Sequence, residues 1–455
     1  MKNSLISTSF FRACAPTTFA LALAISLAAC GSGGGGSSSG TSGTVSIGGT
    51  VSGLTGSGLV LQNNAGDNLA ISANGSFTMA TALAVGASYS VTVSSQPSLP
   101  SQTCTVSNGS GTASASVTNI AVTCTTPSVR FAYVANSGAN TVSAYTVDTN
   151  TGALTSVGTA YATGVAPDSV VVAPSGKFAY VVNFNDNTLW TYAIDTSTGA
   201  LSTVGSSSAT GNNPTTVALA PSGKFAYVAN SIDNTVSSYT VDTTTGALTT
   251  LGTVATGASP RSVTVDPSGK FAYASNYSDG TVSAYTVDSS TGTLTAIGTV
   301  ATGSGPRSIA IDPTGKFAYV ANFGSGSFNN TVSAYSINTS TGVLTTVGTY
   351  TAGTAPRSVA VDPRGKFLYV ANSEADTVTA YSINTSTGAL TTVGSFATGS
   401  KPYAVAADPT GQFVYVANSN AATVSTYSIN SSTGALTQTG SYAAGTGAAA
   451  VATTQ

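Results

Sequence analysis

Histidine is absent from all 455 residues, and glutamate occurs once, at Glu374. Those absences exclude a His general base, a His-ligated metal and a paired-glutamate site. Acid, base or electrostatic work is left to Asp, Lys, Arg, Tyr or Ser. Charge is scarce as well: Asp, Glu, Lys and Arg make up 6 % of the chain and the formal net charge is -2, which gives no basic footprint for nucleic acid. After the first thirty residues no apolar run is long enough to span a bilayer. What fills the chain is Gly, at 50 residues, with Ser, Thr, Val and Ala, a mixture that suits short strands and turns and leaves little helix. Neither a cofactor nor a metal is expected.

Residues 1–30 carry Lys2, Arg12, an apolar run from Phe19 to Leu27 and then Leu27-Ala28-Ala29-Cys30, the layout of a secretory signal. Its end resembles the lipobox of bacterial lipoproteins, and that resemblance implies that Cys30 is lipidated and becomes the mature N-terminus. The expected location is therefore the cell envelope, with membrane contact through the lipid anchor only. The absence of Asp after Cys30 favours outer-membrane retention in such families. Residues 31–43, GSGGGGSSSGTSG, have no apolar side chain to bury and read as a flexible tether.

From 44 to 126 short alternating strands separated by Gly and Asn turns predict a small immunoglobulin-like β-sandwich. Cys104 and Cys124 fall inside it, and an even pair in an exported segment points to a disulfide. The region reads as a spacer rather than a site.

Residues 127–455 are a repeat. Six segments keep Pro and Asn sixteen residues apart: Pro167 to Asn183, Pro214 to Asn230, Pro260 to Asn276, Pro306 to Asn322, Pro356 to Asn372 and Pro402 to Asn418; a seventh Asn, Asn136, lacks its upstream half. Each repeat divides into four strands; in the Pro356 copy they are joined by turns such as DPRGK (DPSGK at Asp266) and NTSTG, and four strands per roughly 46 residues is the signature of a propeller blade. Strand faces that are apolar on both sides, as at Phe367 to Val370, suit a sheet packed between two neighbours. The prediction is an all-β chain with a seven-bladed, monomeric β-propeller, its first blade completed by the last strand near Ala449 to Thr453.

The Phe-Ala-Tyr-Val-Ala-Asn motifs at Phe131, Phe225 and Phe317, with Asn-Thr-Val-Ser-Ala-Tyr at Asn140 and Asn330 and Thr-Gly-Ala-Leu at Thr151, Thr245 and Thr387, resemble the YVTN-type and lactonase-type seven-bladed propellers, the group containing 6-phosphogluconolactonase. The resemblance covers 127–455. It implies an active-site arginine in a Gly-Pro-Arg motif, matched by Gly305-Pro306-Arg307 and in its Pro-Arg part by Arg261 and Arg357. The family's accompanying His and Glu have no counterpart.

The residue after each repeat Pro forms a ring: Asp168, Thr215, Arg261, Arg307, Arg357, Tyr403 and, by the same spacing in the closing strand, Ala449. Three consecutive blades thus bring Arg to one level, with Lys401 beside them and Asp168 across the channel, a pattern suited to an anion. Alternatively each Arg hydrogen-bonds loop carbonyls identically in each repeat. Asp266, Asp312, Asp362 and Asp408 belong to the opposite end of the same strands, as turn initiators. Residues Asn183 to Asn187 (NFNDN) offer oxygens to a hard cation but read more simply as a turn. The longer loop after Asn322 holds Phe323 and Phe328, candidate partner contacts. The leading expectation is a non-enzymatic module that binds an anionic small molecule or a protein; the alternative is a lactone hydrolase built on Arg261, Arg307 and Arg357.

Overall fold

A computed structural model describes residues 43–97, 102–125, 131–324 and 330–454. Cys30 and the tether up to residue 42 lie outside the described residues, as does Phe328. Chain contacts separate Met1–Gly43 from a compact unit, Thr44–Gln455. All regular structure among the described residues is β.

In 44–125, two four-stranded sheets share one core. One runs Gly75–Thr78, Ile47–Ser52, Val117–Thr125, Thr103–Ser107 in spatial order, the other Asp67–Ile71, Leu59–Asn63, Ser88–Ser95, Ser110–Thr112. Alternation aims Ile47, Leu59, Leu61, Ile120 and Val122 inward, so both sheets bury one face. Cys104 and Cys124 sit directly opposite each other on adjacent antiparallel strands and are disulfide-bonded. Closing that twenty-residue loop is worth about 3 kcal/mol.

Residues 131–453 form seven sheets around a central channel, each antiparallel. In the sixth blade the order from the channel outward is Pro356–Val361, Phe367–Asn372, Thr377–Ile383, Leu390–Ala397. The second strand is buried at all six positions in every blade, because its two faces pack on two neighbours. The chain's last strand, Ala448–Thr453, pairs antiparallel with Phe131–Asn136 and takes the innermost place in the first blade, as predicted. Thr454 extends that ladder: its backbone N–H donates to the Phe131 carbonyl at 3.0 Å, and the Phe131 N–H donates to its side-chain Oγ1 at 3.1 Å.

Tyrosine fastens blade to blade. The second-strand hydroxyls of Tyr133, Tyr180, Tyr227, Tyr273, Tyr319 and Tyr369 each donate to a glycine carbonyl in the outer hairpin of the next blade, Tyr369 to Gly434 at 3.2 Å. Third-strand tyrosines bond the other way, to the outer strand of the preceding blade, as Tyr381 to Thr351 O at 2.6 Å and, across the closure, Tyr145 to Ala443 O at 2.7 Å. Burial raises these phenols, Tyr192, Tyr227 and Tyr239 to about 12, so they remain donors. The receiving hairpin needs glycine. Gly434, at φ 77°, lies against the Phe367 ring, which a Cβ would strike.

The aspartates of the DPxGK turns cap the first-to-second-strand connection. Asp312 Oδ1 accepts from the backbone N–H of Lys316 and Phe317 at 2.7 and 2.6 Å. They sit at the strand end away from the arginines, as expected. Outer strands of the first two blades are broken, into Leu154–Ser156 with Tyr161–Ala162 and Leu201–Thr203 with Ser208–Ala209, whereas blades three to seven keep one eight-residue strand.

Candidate functional site

Every ring residue occupies a β-bulge. In the fourth blade Pro260 pairs with Asn276 and Ser262 with Ser275, so Arg261 is the extra residue; the same shift falls at Asp168, Thr215, Arg307, Arg357, Tyr403 and, in the closing strand, Ala449. A bulge re-aims its extra side chain, here into the channel. The residue two before it, on the other side of the repeat Pro or of Ala448, is in the left-handed region in all seven blades: Ala166, Asn213, Ser259, Gly305, Ala355, Lys401 and Gly447, with φ from 51° to 70°. A side chain in the preceding blade's turn holds the backbone N–H of most of them, as Asn234 Oδ1 holds Ser259 at 2.7 Å and Asp376 Oδ1 holds Lys401 at 2.7 Å.

The seven ring residues line one cavity of about 210 Å³. Thr215 and Ala449 are buried in its wall, and Thr215 spends its hydroxyl on the carbonyls of Ala229 and Pro260, at 3.3 and 3.4 Å. Arg261, Arg307, Arg357, Tyr403 and Asp168 are half-buried and line this cavity. Lys401 is not part of the arc: it is exposed, and what the fold uses is its backbone.

The guanidinium groups rest on aromatic faces. Arg261 lies 5.5 Å from the Tyr277 ring centre, Arg307 between Tyr277 at 5.2 Å and Phe323 at 4.4 Å, and Arg357 on Tyr403 at 3.0 Å. None of the three donates to a loop carbonyl or meets a carboxylate within ion-pairing distance among the described residues, and Nε of Arg261 and of Arg307 is buried without an acceptor. Uniform loop-bonding arginines are thus not what the fold contains. Phe323 is a cushion for Arg307, which gives it a place in the site rather than in a projecting partner contact. Tyr277 escaped the sequence reading. It follows the motif Asn, at a position occupied by Ser in four blades (Ser137, Ser231, Ser373, Ser419) and by an aromatic in three (Phe184, Tyr277, Phe323). That contrast was its only signal.

Asp168 closes the ring opposite, accepting the Tyr403 hydroxyl at 3.1 Å on Oδ1. Burial pushes its carboxyl above the usual range; the positive charges of Arg357, Arg307 and Arg261 pull it down without reversing the shift. Burial likewise lowers all three arginines, Arg357 most, with the neighbouring Arg307 adding to the shift of Arg261 and Arg357. Three like charges are thus crowded on one side of the channel, and Asp168 is the carboxylate that acts on all of them. No cluster of three or more metal-ligating side chains exists among the described residues. In the NFNDN turn, Asp186 Oδ2 is bound by the backbone N–H of Val165 at 2.5 Å.

The model of the family described as lactonase, 7-bladed beta-propeller, matches three overlapping stretches, residues 98–218, 206–309 and 299–453. The chain belongs to this lactonase family. No curated protein matches the sequence. Among solved structures, a provisionally named 6-phosphogluconolactonase from Bacteroides fragilis is 23 % identical with TM-score 0.64, over 73 % of this chain and 99 % of that one. A periplasmic gluconolactonase from Pseudomonas aeruginosa is 22 % identical with TM-score 0.63, over 72 % and 99 %. A hydrazine synthase from Kuenenia stuttgartiensis is 22 % identical with TM-score 0.53, over 66 % and 92 %. Such likenesses establish the fold, and the breadth of those names shows that this lactonase-family propeller must be read from its own channel.

Proposed function

We propose that the propeller binds a small oxyanion, a phosphate or carboxylate group, at the channel mouth. The observation that carries this reading is the set of three adjacent guanidinium groups with, among the described residues, no carboxylate within ion-pairing distance and two buried Nε–H donors without acceptors. Aromatic cushions fix the planes of the guanidinium groups, so that little ordering cost remains when a ligand arrives. A second reading, lactone hydrolysis, is favoured by family membership and by Asp168, the one carboxylate of the ring. There Asp168 would take a proton from water as it attacks the lactone carbonyl, the arginines would hold the oxyanion, and as the ring C–O bond breaks Asp168 would return that proton to the departing ring oxygen to give the hydroxy acid.

One experiment tests both. In a thermal-shift titration, phosphate and gluconate should raise the melting midpoint of the full chain, and Arg307→Ala should weaken the apparent affinity about tenfold or more. If Arg261→Ala, Arg307→Ala and Arg357→Ala leave the response unaltered, the arc is structural. Hydrolysis of gluconolactone above the solution rate, lost in Arg307→Ala, would replace the binding reading by the hydrolase.

A further inference from the structure

The ring is lopsided: cations on the fourth, fifth and sixth blades face one carboxylate on the second. Among the described residues Asp168 has no arginine within ion-pairing distance, and its single hydrogen bond is the one from Tyr403 to Oδ1. Oδ2 receives no hydrogen bond among the described residues, and Asp168 lines the cavity. Of the ring hydroxyls, Tyr403 donates to Asp168 and Thr215 faces backbone carbonyls, and no serine or threonine lining the cavity donates to Asp168 among the described residues. An anion drawn in by the arginines therefore meets a negative oxygen with no hydrogen between them, unless it brings one.

We infer that Asp168 selects oxyanions that carry their own O–H group, a hydrogen phosphate or a hydroxy acid, and rejects those without one. The inference rests on the anion-binding reading. With such a ligand the O–H donates to Oδ2 while the remaining oxygens accept from Arg261, Arg307 and Arg357. Lacking it, the ligand leaves a carboxylate and an anion side by side in a partly desolvated channel, where a missing donor discriminates strongly. Tyr403 orients the carboxylate from Oδ1, which leaves Oδ2 for that O–H.

Charge-matched probes separate this from simple attraction. At pH 8 phosphate and sulfate are both dianions, but only phosphate retains a proton; gluconate and hexanoate are both monoanions, but only gluconate has hydroxyls. Calorimetric titration of the full chain should show the donor-bearing member of a pair binding at least tenfold tighter. Asp168→Asn, which supplies an amide donor, should bring sulfate within about threefold of phosphate, and Asp168→Ser, a second variant should the first fold poorly, should narrow the gap in the same direction. Which pair shows the preference separates a phosphate group from a sugar-acid carboxylate as the source. Equal binding within both pairs by wild type, or discrimination undiminished in the variants, overturns the selectivity. No binding of any probe overturns the anion site itself.

Discussion

A carboxyl raised in the folded state, as Asp168 is by burial, binds its proton more tightly there than in the unfolded chain. Stability therefore falls as pH rises from the unfolded value, about 3.9, through the folded one, and stays reduced above it. Asp168→Asn imitates the neutral acid, so in anion-free buffer at pH 7 it should melt higher than wild type, by on the order of 1 to 2 °C. The gain should vanish near pH 3, where both states of the wild-type carboxyl are protonated. Equal melting midpoints at pH 7 would mean that the arginines fully offset the desolvation. Much of this site was legible, because a constant Pro-to-Asn interval locates the ring residues before any coordinates. The aromatic cushions were not, since Tyr277 reaches Arg307 of the next blade only through blade packing and the bulge. Lys401 was misplaced for a related reason: the residue before Pro is left-handed and contributes backbone rather than side chain.

Strands and turns were readable because each repeat restates them. Even the broken outer strands had a trace. Leu154 to Ala162 and Leu201 to Ala209 hold one residue more than Leu248 to Ala255, and the surplus is taken up at Gly158 and Gly205, with φ 62° and 60°, where Gly252, at φ 141°, remains within an unbroken strand. The tyrosine fasteners were not legible as bonds, because their acceptors are carbonyls on another blade, often more than sixty residues away. The seventh fastener is missing: Tyr415 OH, facing the closure, is buried without a partner. Tyr369→Phe removes a buried bond and should cost about 1 kcal/mol, whereas Tyr415→Phe relieves an unpaired hydroxyl and should be neutral or stabilising. Denaturant midpoints of the two variants test this. An equal loss in both would show that Tyr415 has an acceptor in solution.

On the scale of the molecule, that unpaired hydroxyl falls at the interface between the seventh blade and the first, where the chain's last strand completes the first blade. The closing strand brings Ala448 and Val451 into the core shared with Phe413, Tyr415 and Val424, and places Ala449 in the channel wall. Deleting residues 447–455 exposes the edge of Phe131–Asn136, uncovers that core and opens the wall beside Asp168. The loss should be on the order of 3 to 5 kcal/mol, comparable to removing a large core side chain. It should act through the whole propeller, since each blade is held by its two neighbours and an open ring has two ends from which to unravel. A calorimetric scan of the truncated chain should show a lower and broader transition, with the anion response lost although all three arginines remain. An unchanged midpoint would mean that six full blades and the remainder of the first hold the ring without the closing strand, leaving the C-terminus to serve the channel alone.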